Sequence, residues 1–309
     1  MATSWRKIPV IPVAFGALAI LWGSSFVAIE IGLPHVSPLL FAALRYDIAG
    51  IVLLAYAAAT TDKWVPRDAD SVLAVLVGGS LLIGAHHAFL YLGQQYVSGA
   101  VAAVVVSLVP VLTVTFASSV FPDERLSAIQ YSGVALGFVG VVIVVSPSPG
   151  HVADVSLFGV GLLLVAAASM ALGTVGMRPL DPAIPIRSMQ AWAMLVGAVL
   201  LHGASLLTGE STAVTWTPSL IVALVYLALG SSVVAYLLYF YLLNRVGPSE
   251  LNLVIYAQPV PTTAISWALL GSLIDPTTMG GLVTIFGGFA LVKHDRFRRI
   301  VNFDLSAVR

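Results

Sequence analysis

The stretch FAALRYDIAG, residues 41–50, sets Arg45 and Asp47 among otherwise mostly apolar neighbours. A charged side chain at the centre of a membrane-inserted helix costs about 2.5–3.5 kcal/mol, so each of these residues needs something to face. Two positions along a helix is a turn of about 200°, so the pair cannot share a face and must find different partners. Glu30, near the outer end of the preceding apolar run, is the nearest candidate to pair with Arg45. Two other roles fit Arg45 as well: snorkelling to headgroups, or contact with an anionic group of a substrate. The sequence supplies no partner for Asp47.

Further polar stripes lie at helical spacing. In HHAFLYLGQQY, residues 86–96, His87, Tyr91 and Gln94 form one stripe. Histidine titrates near neutrality, so His87 and Glu30 are the candidates for proton coupling, while His86 is expected to be structural. Adjacent histidines diverge on a helix and no carboxylate follows at i+4, so no metal site is expected. Ser232, Tyr236 and Tyr239 share a face, as do Asn252 and Tyr256, with Gln258 beside Pro259. Trp22 begins a stripe with Phe26 and Glu30, whose aromatic members suit either packing or an amphipathic ligand. Pro110, Pro259 and Pro261 should bend their helices, and proline is tolerated in a span where protein or a cavity covers the freed carbonyl. Pro110 and Pro259 are the expected hinges. Catalysis finds no footing: the chain has no cysteine, no HExxH and no GxSxG, and Ser231 and Ser232 have no evident base. The chain is therefore read as a non-enzyme without a cofactor.

The elements that hold these residues follow from composition. Of 309 residues, 59% are hydrophobic and only 9% charged, against about 25% charged in a soluble domain. Mean hydropathy is +1.00. This defines an all-α polytopic membrane protein whose first partner is the lipid bilayer. Zero net charge gives no sign of a nucleic-acid partner. Arg6 and Lys7 precede an apolar run containing ALA at 17–19, but the run continues to Leu33, too long for a cleavable signal core, and is read as the first span. Ten runs approach the roughly 20 residues that a span needs: about 11–32, 38–59, 71–92, 99–121, 128–146, 156–177, 186–207, 219–243, 249–271 and 277–293. With the N-terminus in the cytoplasm, the cytoplasmic segments carry Arg6, Lys7, Lys63, Arg67, Arg125, Arg178, Arg187, Arg245 and the basic tail from Lys293. The opposite loops carry no Lys or Arg, as the positive-inside rule requires, and both termini fall in the cytoplasm.

The chain also repeats itself. SGVALGFVGVVIV (132–144) resembles GGLVTIFGGFALV (280–292), and SLVPV (107–111) matches YAQPV (256–260). Five spans per repeat make the second copy, 148–309, enter the membrane inverted relative to the first, 1–147. Inverted repeats are a transporter architecture, with the site at their interface near the midplane. The small residues of the fifth and tenth spans form close-packing surfaces, either within the protomer or across a homodimer.

LWGSSFVAIEIGL (21–33), AALRY (42–46), the segment DERLSAIQYSGVALGFVGV (123–141) and YLALGSSVVAYLLYFYLLNRVGPSELNLVIYAQPV (226–260) resemble the EamA family of the drug/metabolite transporter superfamily. The resemblance spans nearly the whole chain. It departs where relatives usually carry a glutamate after the ninth span and this chain has Ser272, although Glu124 is present in the first half. It implies a ten-helix secondary transporter of the cell membrane, often an exporter of amino acids or other small metabolites. Substrate-pathway residues would be Trp22, Arg45, His87, Tyr91, Ser232, Tyr236, Tyr239, Tyr256 and Gln258. Uptake or exchange, and a passive channel or membrane scaffold, are the alternative functions.

Overall fold

The computed structural model describes residues 10–124, 126–144, 156–251, 253–272 and 276–292. Arg6, Lys7, Arg125, Asn252, the loop 147–155 and the basic tail from Lys293, all used above, lie outside that set, as does the side chain of Glu124. Among the described residues there is no strand. The helical stretches are α1 (Val10–His35), α2 (Pro38–Thr60), α3 (Ala69–Gly93), α4 (Gly99–Val120), α5 (Ala128–Val144), α6 (Leu157–Gly176), α7 (Ile186–Leu207), α8 (Pro218–Val246), α9 (Leu253–Leu270) and α10 (Pro276–Val292). All but α5 and α10 are long and apolar enough to cross a bilayer; those two are apolar but 17 residues each. A helix satisfies every backbone polar group within its own segment, which is why apolar runs in lipid take this form.

Their ends carry the expected local chemistry. Proline opens α2 and α8, where its missing N–H costs nothing. Ser98, Ser156, Thr217 and Asp68 cap α4, α6, α8 and α3 by accepting a backbone N–H. Beyond α7 and α9 the chain turns through Gly209 and Gly271, both at φ 68°, a conformation that favours glycine.

Four helices are irregular. α3 and α8 each contain a wide π turn, Gly78–Ala85 and Tyr226–Val234. α4 breaks between Val106 and Val109, and α9 breaks at Gln258, so Pro110 and Pro259 each stand in the first turn of a new segment. Pro261 stands in that same first turn of the second segment of α9.

The packing follows a consistent plan. α1 lies against α8 and α9, while α6 lies against α3 and α4; α2 pairs with α7, and α5 with α10. The α5–α10 pair meets through glycines: a Cβ on Gly133 would fall 2.5 Å from the Gly288 carbonyl, and one on Gly281 would fall 2.6 Å from that of Gly140. The small residues of these helices therefore pack on each other within the protomer. Outward faces are apolar, with Ile51, Val142, Val199 and Leu206 all exposed, as suits acyl chains.

Candidate functional site

Arg45 stands in the second turn of α2 and is 4% exposed. Its Nε donates to Ser232 Oγ at 3.0 Å, one terminal nitrogen to Ser231 Oγ at 3.1 Å and the other to the Tyr91 hydroxyl at 3.3 Å. Ser231 passes its own hydrogen to the Leu227 carbonyl, leaving its oxygen free to accept. Both serines sit in the π turn of α8, an irregularity that recurs at functional sites. The guanidinium carbon lies 5.0 Å from the Tyr46 ring centroid, a cation–π contact.

The expected Arg45–Glu30 pair does not form. Glu30 instead accepts the Gly99 N–H at 2.8 Å, at the N-terminus of α4, where the helix dipole favours an anion. Every hydrogen-bond partner of Arg45 is thus neutral. Asp47, left unpartnered by the sequence, meets His202 of α7 at 2.7 Å on another face of α2.

The histidines are held by the backbone. His86 Nδ1 lies 2.9 Å from the Ala166 carbonyl, and His87 Nδ1 lies 3.1 Å from that of Ile83. A carbonyl only accepts, so both Nδ1 atoms carry hydrogen. His87 Nε2 is 2.5 Å from the Tyr46 hydroxyl, which engages both its ring nitrogens.

These groups form the deep wall of a cavity of about 270 Å³ between the two halves of the chain. Of the residues expected in a substrate path, Trp22, Arg45, His87, Tyr236, Tyr239 and Gln258 line it, and so does Pro110. Tyr91 and Ser232 stand behind Arg45 and hold it. Tyr256 lies outside the lining, with its ring 4.1 Å from that of Phe289 and its buried hydroxyl unpartnered. Glu30 lies beyond the cavity. Trp22, Tyr236 and Tyr239 form an aromatic wall, with centroids 5.7 Å and 5.6 Å from the tryptophan. Tyr46, His86 and Gln190 also line the cavity and were not singled out for it. Gln190 had a signal, being a lone amide in the apolar run of α7.

The two ends of the cavity differ. Two of its lining residues, Met177 and Ile186, lie at helix ends next to Arg178 and Arg187. At the opposite end, Gln94 donates to the Phe26 carbonyl at 2.9 Å and Glu30 binds the α4 N-terminus. There too Glu210 accepts the N–H groups of Leu39 and Leu40 at 3.1 and 3.2 Å, joining the α7–α8 loop to the start of α2. The lining thus reaches the arginine-bearing helix ends, and the other end is tied by these hydrogen bonds.

An apolar helical bundle whose central cavity holds a buried arginine fits a membrane transporter, and the comparisons with known proteins agree. The chain belongs to the EamA-like transporter family, which matches residues 11–146 and again 157–293. It is a multi-pass membrane transporter. Among its relatives, the uncharacterized inner membrane transporter YedA of Escherichia coli strain K12 is 32% identical, covering 92% of this chain and 90% of its own. A probable amino-acid metabolite efflux pump of Salmonella typhimurium is 28% identical, covering 88% of this chain and 90% of its own. A solved crystal structure matches with a TM-score of 0.64 over 94% of this chain and 98% of its own; at 22% identity it speaks to the fold.

Proposed function

We propose that this protein is a secondary-active carrier that exports a small metabolite by alternating access. The proposal takes its ten helices as ten spans in two inverted repeats, residues 1–147 and 148–309, with both chain ends in the cytoplasm. The observation that carries it is Arg45, a buried cation with neutral partners at the tied end of a central cavity. An uncompensated charge in a span is expensive and is retained where it meets a ligand. The packing supports the repeat reading. Exchanging the halves turns α1-on-α8/α9 into α6-on-α3/α4 and leaves the α2–α7 and α5–α10 pairs unchanged. The two π turns, moreover, are separated along the chain by nearly the same interval as Pro110 and Pro259.

By the positive-inside rule the end next to Arg178 and Arg187 faces the cytoplasm. Substrate would enter there, and the ties of Glu30, Gln94 and Glu210 would break as the halves rock. A cavity tied at one end favours a carrier over an open pore. The efflux name of the Salmonella relative favours export. The test is counterflow in proteoliposomes, using metabolites chosen for thermal stabilisation of the purified protein. Saturable counterflow is expected, with Arg45→Ala and Gln258→Ala each reducing it at least about tenfold, a loss of roughly 1.4 kcal/mol in binding. Wild-type rates in both variants would remove this site, and non-saturable flux would replace the carrier with a channel.

A further inference from the structure

Arg45 is the only charged side chain among the described residues that line the cavity; no Asp or Glu joins it. Its guanidinium has five N–H donors, of which three are engaged, leaving one on each terminal nitrogen. The histidines do not supply a second charge. Both Nδ1 atoms face carbonyls, and a proton on His87 Nε2 would place another cation beside the guanidinium. The other polar groups of the lining, among them Ser25, Thr113, Thr174, Gln190 and the tyrosine hydroxyls, are uncharged, and neither His86 Nε2 nor the Gln258 amide makes a hydrogen bond to the described protein. Beside Arg45 stand the aromatic wall of Trp22, Tyr236 and Tyr239 and several methionines.

We infer that the site selects a monoanionic carboxylate with an apolar or aromatic body, in preference to the zwitterion of an amino acid. The inference rests on the carrier reading above and names its substrate class. A carboxylate can accept the two free N–H groups of Arg45 in a charge-assisted pair. One negative charge then neutralises the cavity. A zwitterion brings the same carboxylate together with an ammonium that finds neutral acceptors and no acid, so the positive charge stays buried and unbalanced. A dianion overcompensates by one charge. A lone ammonium could use the aromatic wall but meets the guanidinium of Arg45 in the same cavity.

The experiment is a charge ladder on one phenyl body: 3-phenylpropionate, L-phenylalanine, phenyl phosphate and phenethylamine, at pH 7.5, with purified full-length protein. Affinity is read by thermal stabilisation and by quenching of tryptophan fluorescence. The expected result is 3-phenylpropionate binding at least about tenfold more tightly than phenylalanine or phenyl phosphate, with phenethylamine weakest. Arg45→Gln should bring the four to within about threefold of one another, and Arg45→Lys should restore the order; the wild-type ladder decides by itself where a variant fails to fold. Equal or tighter binding of phenylalanine overturns the inference, and so does failure of all four to bind. Counterflow separates this result from the carrier reading. Flux with the ladder reversed removes the charge rule and leaves a carrier, whereas an intact ladder without flux removes the carrier and leaves the binding rule.

Discussion

The wide turn of α3, Gly78–Ala85, and that of α8, Tyr226–Val234, occupy comparable places in the two halves, but their neighbours differ. The α3 turn is used for close approach to α7. Gly79 faces Val196 and the Ala193 carbonyl, and Ile83 packs on Gly197. The α8 turn is used for polar contact. Ser231 and Ser232 hold Arg45, and the Tyr226 hydroxyl bonds both Ser24 and the Leu21 carbonyl. The same backbone irregularity thus brings glycine to a helix seam in one half and hydroxyls to a charge in the other. The site is asymmetric because the second turn presents two serine hydroxyls to Arg45, whereas the Ser80 hydroxyl of the first turn bonds back to the Leu76 carbonyl.

That contrast can be broken most severely on the α8 side. Ser231→Ala combined with Ser232→Ala removes two of the three acceptors that hold Arg45. Hydrogen bonds to charged groups contribute about 1.5–3 kcal/mol each and do not simply add, so a loss of about 3 kcal/mol is expected. Denaturant titration in detergent reads the stability, and the charge ladder should flatten as the guanidinium loses its orientation. On the α3 side, Gly197→Val should cost about 2 kcal/mol by overpacking, because even its Cβ would sit 2.3 Å from Ile83 Cγ2. Here the ladder should keep its order. A flattened ladder in Gly197→Val would show that the two turns are not separable in function.

Tyr46→Phe should cost less than either. It removes the hydroxyl that meets His87 Nε2 and leaves the ring under Arg45 in place. The expected loss is about 1 kcal/mol, that of one ordinary hydrogen bond. Anion affinity should hold, since Tyr46 touches the guanidinium through its ring.

The parts of this arrangement visible in the sequence are those written locally. Low charge and long apolar runs disclose the membrane bundle, and Pro110 and Pro259 mark the breaks in α4 and α9. Arg45, Trp22, Tyr236, Tyr239 and Gln258 were legible as polar or aromatic exceptions on apolar helices. What held Arg45 was not legible. Ser231 and Ser232 lie more than 180 residues away along the chain, and nothing local to α2 points to α8. Sequence proximity suggested Glu30 instead, whose carboxylate is taken by the N-terminus of α4. Tyr46 was overlooked because a tyrosine beside an arginine is unremarkable until the cavity wall is seen to include both. The π turns leave no clear compositional mark, since Gly-rich apolar segments read as ordinary helix.

Asp47 supplies the smallest and most discriminating prediction. It lies two residues from Arg45, yet it faces α7, where His202 meets it at 2.7 Å with both side chains more than a third exposed. The pair joins α2 to α7, the two helices that meet across the halves, and neither residue lines the cavity. Interhelical hydrogen bonds within membrane bundles average about 0.6 kcal/mol, so Asp47→Ala should lower stability by about that amount. Asp47→Asn keeps an acceptor for His202 and should cost less. Neither change should disturb the order of the charge ladder, because the carboxylate is turned away from the site that Arg45 occupies. A reordered ladder in Asp47→Asn would mean that the α2–α7 seam senses the charge in the cavity. The two faces of this one helix would then have to be treated as a single coupled unit.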